Sequence, residues 1–195
     1  MAAVKNVHEY RDALHDPYTW ITRCIGLFQS AEAVWLAGER SSYNAGSNNP
    51  RPESPLDMLQ CFGFYKVSMM LYGMAVEVAL KGILIRQRSD KVIVQLETDG
   101  GGTVRNIALK NVGDSGGGHN LVLLAQNAGL ISKDDSKDVE AKRQLRCLAE
   151  YVVWRGRYPV PKAMGADDER ETIGGSTETQ KFVRDFLREH LTWPD

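Results

Sequence analysis

The chain has 195 residues, of which 43% are hydrophobic and 25% charged; this is ordinary globular composition for one domain and argues against disorder. A formal net charge of −1 gives no global field toward nucleic acid or anionic lipid, so any such binding must rest on a local patch. Cys24, Cys61 and Cys147 are odd in number and far apart, without CxxC spacing; they read as buried reduced thiols, and no metal site or cofactor is expected.

The first eight residues hold no apolar run of signal-peptide length. Residues 67–85 are apolar but interrupted by Glu77 and Lys81, which argues against a membrane span. The expected place is the cytoplasm, and the expected organisation is a single domain over 1–195.

Asp16-Pro17 forms a helix start, with an acidic cap and proline in the first turn. Ile21, Cys24, Ile25, Phe28, Ala31, Val34 and Trp35 then recur at helical steps as far as about Leu36. Residues 41–54, rich in Ser, Asn, Gly and Pro, read as a loop. Ser54-Pro55 repeats the cap signal, with Asp57 in the first turn. Residues 56–86 are apolar on nearly every side, which predicts a helix buried all round: the centre of the domain, or partly a subunit interface.

Residues 91–110 change period. Two β-branched runs flank Asp99-Gly100-Gly101-Gly102, the pattern of a small β-hairpin. Seven of the eighteen glycines lie between Gly100 and Gly118, so residues 91–118 read as an exposed Gly-rich insertion.

Helix is expected again from Asn120 to Gly129. Another is expected from Ser132 or Ser136 to about Arg155-Gly156, with Ala141, Leu145, Leu148, Ala149 and Val152 inward and Lys137, Asp138, Lys142, Arg143 and Arg146 outward. The last runs from Ser176 or Thr177 to about His190. The fold class predicted is all-α: a bundle of about five helices around one apolar helix, with a β-hairpin insertion.

Several patterns bear on chemistry. Gly113-Asp114-Ser115-Gly116-Gly117 is the string around the nucleophile of chymotrypsin-like proteases, but those need an all-β double barrel, so its presence in a loop between helices reads as coincidence. Gly116-Gly117-Gly118 lacks the Lys-Ser or Lys-Thr of a Walker loop and reads as a connector. On the central helix, Lys66 and Glu77 lie ~20° apart and Lys81 ~40° further round, a polar seam in which Glu77 and Lys81 stand in the favoured i,i+4 order. The plain alternative is a solvated edge. Arg155, Arg157 and Lys162 alternate with Tyr151, Trp154 and Tyr158, a set that can hold a nucleotide or single strand, or simply pack a helix end. His119 stands at a helix start, where it could instead only bond to backbone.

Glu77 and Lys81 in Val76-Glu77-Val78-Ala79-Leu80-Lys81, followed by Gly118-His119-Asn120-Leu121 and later by Arg157-Tyr158-Pro159, make the stretch 56–161 resemble the HEPN superfamily of bacterial helical-bundle proteins. The resemblance implies a homodimer. In active members it also implies a metal-independent RNase using an Arg and a His four to six residues apart. The matching pair here is Arg184 and His190, where His190 would move the proton and Arg184 would steady the phosphate charge. Residues six apart on an unbroken helix point ~120° away from each other, so that pair converges only if the helix ends between them or a second subunit completes the site.

The reading favours a non-catalytic nucleotide- or RNA-associated binding or interaction module using Glu77, Lys81, His119, Arg155, Arg157 and Tyr158. The alternatives are the endoribonuclease of toxin or phage-defence type, and a structural dimer or protein partner covering a face around Met69, Met70 and Met74.

Overall fold

The structure, a computed structural model, describes residues 7–42, 55–87, 93–98, 104–110, 119–134, 136–155 and 177–191. These residues are predominantly helical. Six α-helices are present, α1 (Val7–His15), α2 (Pro17–Ser42), α3 (Pro55–Gln87), α4 (Leu121–Asn127), α5 (Val139–Glu150) and α6 (Thr177–His190), together with a π-helical turn (Tyr151–Arg155) that continues α5. Two strands, β1 (Ile93–Thr98) and β2 (Val104–Lys110), pair antiparallel with Ile93 opposite Lys110, and the register shifts between Glu97 and Thr98.

The sixth helix is α1, which the expectation of about five did not include. It ends where Pro17, lacking an N–H, opens α2, and Asp16 caps that start by accepting from the Tyr18 N–H at 3.0 Å. The Trp20 indole donates to the Leu14 carbonyl at 2.9 Å, tying the end of α1 to α2.

α3 is the hub: α2, α4, α5, the π-helical turn and α6 all pack on it. Its residues Met69, Tyr72, Ala75, Val76, Ala79, Leu80, Leu84 and Ile85 are buried, joined by Cys24, Ala31 and Trp35 of α2, Leu121 and Leu124 of α4, Leu145 and Leu148 of α5, and Val183 of α6. Among the described residues only α3 has the length and apolar composition to cross a bilayer, and 67% of that stretch is buried in the fold, as for a core helix. Aromatic rings stitch α2 to α3, with Trp35 and Tyr65 centroids 4.7 Å apart and Phe28 and Tyr72 5.9 Å apart. Burial pushes the Cys24 thiol up to about 12, which makes it inert.

α4 is closed at both ends by local chemistry. The Asn120 side chain accepts from the Leu123 N–H at 3.0 Å. At the other end Gly129, at φ 73°, donates to Gln126 O while Leu130 donates to Ala125 O, the paired bonds of a Schellman stop.

α5 begins at Val139, later than Ser132 or Ser136. The described residues before it are tied to one another by short side chains. Asp134 accepts from the Ser136 N–H and hydroxyl at 3.0 and 2.7 Å, and Asp138 accepts from the Ser132 N–H at 2.6 Å. Lys142, expected to face outward, is buried at 1% exposure. Its ammonium donates to the carbonyls of Asp134 and Lys137, so a cation rather than water satisfies the loop backbone.

At Gly73 the end of α5 and the π-helical turn pack tightly on α3. A Cβ there would stand 2.5 Å from Val152 Cγ2 and 2.9 Å from the Leu148 carbonyl oxygen. Gly73→Ala is therefore expected to destabilise the protein by about 1–3 kcal/mol through overpacking, read as a lower urea midpoint at unchanged slope.

Candidate functional site

The C-terminal third of α3 carries Glu77 and Lys81 one turn apart, and the lead-in to α4 carries His119 directly before the Asn120 cap. Packing of α4 on α3 brings the three together. Lys81 Nζ donates to Glu77 Oε1 at 2.7 Å, and His119 Nδ1 lies 2.9 Å from Glu77 Oε2. One carboxylate thus binds both groups, one on each oxygen.

Glu77 is buried at 8% exposure, which makes its two partners necessary. The His119 side chain remains 39% exposed and that of Lys81 14%. A carboxylate only accepts, so the His119 nitrogen that faces it, Nδ1, carries a proton, and Nε2 donates as well only when the ring carries both protons.

The seam read from α3 therefore closes into a cluster with His119. Lys66, its third member, sits half-buried nearer the start of the same helix. Arg155 ends the π-helical turn, but its side chain lies outside the described residues. So do Arg157, Tyr158 and Lys162, and residues 111–118 with the Gly-Asp-Ser-Gly-Gly string.

The pair on α6 is placed apart from this cluster in its bonding. α6 runs unbroken from Arg184 to His190, its last residue. Arg184 Nη2 donates to Glu32 Oε2 of α2 at 2.7 Å, whereas His190 stands edge-on to Phe186, with ring centroids 4.6 Å apart. Glu32 also accepts from the Tyr72 hydroxyl at 2.6 Å and from the Gln180 amide at 3.3 Å, so three side chains from two helices share one carboxylate. Burial first, and then the Glu32 bond, raise the Tyr72 phenol, which stays protonated as the donor.

Sequence reasoning missed Glu32, although it had a signal. Glu32 sits between Phe28, Ala31 and Trp35 on the apolar stripe of α2, where a lone acid has to find a partner. Met69, expected on a face that a second copy or a partner covers, is instead buried at 1% within the chain, while Met70 and Met74 are half-buried. Among the described residues no group of three or more His, Cys, Asp or Glu is placed to hold a metal ion.

Comparison with protein-family models, with curated proteins and with solved structures finds no match to this chain.

Replacing Glu77 by Ala removes the shared acceptor. Nitrogen NMR of the neutral His119 ring is expected to report the Nδ1–H form in the parent and a shift toward Nε2–H in the variant. The same change should cost about 1–3 kcal/mol, measured by urea unfolding, because the mostly buried Lys81 ammonium loses its counter-charge.

Proposed function

We propose that this chain is a non-catalytic binding module of HEPN-like type for a phosphate-bearing ligand, a nucleotide or RNA, centred on Lys81 and His119 with Glu77 orienting both. On this reading the β1–β2 ladder is an insertion between α3 and α4, and the protein is a homodimer in a bacterial cytoplasm.

The observation that supports the reading is the doubly bound Glu77 carboxylate. It holds an ammonium and an imidazole on its two oxygens and restrains both side chains before the ligand arrives; a phosphate then accepts from the ammonium and, when the ring carries both protons, from Nε2. Oriented donors lose less freedom on binding than free surface lysines do. The non-catalytic form is preferred because Arg184 already has Glu32 for a partner and His190 packs on Phe186.

The test is fluorescence anisotropy of the full chain with labelled single-stranded RNA, in EDTA. Lys81→Ala and His119→Ala are each expected to weaken binding roughly tenfold, and Lys81→Ala to reduce the log–log salt slope by about 0.7. His190→Ala should leave affinity unchanged. Absence of binding by the parent protein overturns the reading. Cleavage of the RNA, lost in His190→Ala, replaces it with the endoribonuclease.

A further inference from the structure

Lys66 has no part in the Glu77 cluster, yet it lies on the same side of α3. Between it and Lys81 run Met70 and Met74. At ~100° per residue, Met70, Met74 and Lys81 fall within ~40° of one another, and Lys66 lies ~40° from Met70. The core buries the opposite side of the helix, including Met69, Tyr72 and Val76, whereas Met70 and Met74 stay half-buried and Val67, beside them, is 39% exposed. The result is a short apolar strip with a cation at each end, its lysines separated by ~22 Å of axial rise. Helical side chains lean toward the N-terminus, and Lys81 Nζ accordingly sits at the carboxylate of Glu77, only about one turn beyond Met74.

This pattern discriminates between occupants. A second copy pairing antiparallel over the strip would set Lys66 of one chain opposite the Lys81–Glu77 pair of the other, leaving one uncompensated cation at each end. A polyanion carrying flat rings meets the strip without that conflict: phosphates reach the cations, and the methionine thioethers make favourable contacts with aromatic faces.

We propose that the strip is the base-binding part of the site, seating a single-stranded nucleic acid with phosphates on Lys66 and on Lys81–His119 and bases against Met70 and Met74. The inference rests on the binding function proposed above and deepens it from a phosphate site to a strand track.

The experiment compares a labelled ten-nucleotide oligoadenylate with an abasic ribose-phosphate strand of the same length, both titrated against the full chain. The parent protein should bind the oligoadenylate three- to tenfold more tightly than the abasic strand. Met74→Ala and Met70→Ala should each remove most of that difference while leaving abasic affinity unchanged. Lys66→Ala should weaken both strands alike.

Equal affinity of the parent for the two strands overturns the strip but leaves the phosphate site standing. Binding of neither strand overturns both. Sedimentation in the same buffer supplies a further arm: a dimer dissociated by Met74→Ala, with no base-dependent binding, assigns the strip to a second copy and overturns the proposal.

Discussion

α3 has to satisfy five packing partners at once, and the rest of the structure follows from how it does so. Its 33 residues bury side chains toward α2, α4, α5, the π-helical turn and α6, so a helix with one apolar face would not suffice. Close approach is purchased by absent side chains: at Gly82 a Cβ would stand 2.8 Å from Cβ of Trp20, as it would clash with Leu148 and Val152 at Gly73. These two glycines cost helix propensity and return contact area with the neighbours on either side.

A helix buried on so many sides cannot leave its polar groups to water. Ser68 returns its hydroxyl to the Tyr65 carbonyl at 2.8 Å, Tyr72 finds Glu32, and Glu77 finds Lys81 and His119. Among the described residues no buried side-chain nitrogen or oxygen lacks a partner. The same rule joins α5 to α6, where the buried Thr179 hydroxyl donates to the Gln144 side-chain Oε1 at 2.7 Å. Both carboxylates at α3 are therefore parts of the packing before they are anything else. What distinguishes them is access. Glu32 binds groups that hold α6 in place, whereas Glu77 binds an imidazole that stays partly exposed.

The two ends of α4 explain why His119 arrives where it does. Asn120 and Gly129 set where the helix starts and stops, and Leu121, Leu124 and Ala125 press it on the core. His119, immediately before the cap, is thereby carried to the edge of α3 rather than left on a free loop. Its position depends on a seven-residue helix held by one side-chain cap and one Schellman stop.

Much of this was written locally in the chain. The apolar run of α3, the Asp16-Pro17 start of α2, the Asn120 and Gly129 limits of α4 and the i,i+4 relation of Glu77 to Lys81 all depend on neighbours within about one turn, and spacing alone records them. Tertiary structure decided that Glu77 meets His119 across 42 positions, that Glu32 takes Arg184 across 152, and that Lys142 turns inward to hold a loop. Those pairings join distant segments of chain, and residue periodicity does not specify which buried charge will face which donor once the helices pack. The physical reason is that a helix face follows from bonds a few residues apart, while the partner of a buried polar group is chosen by the whole core closing around it.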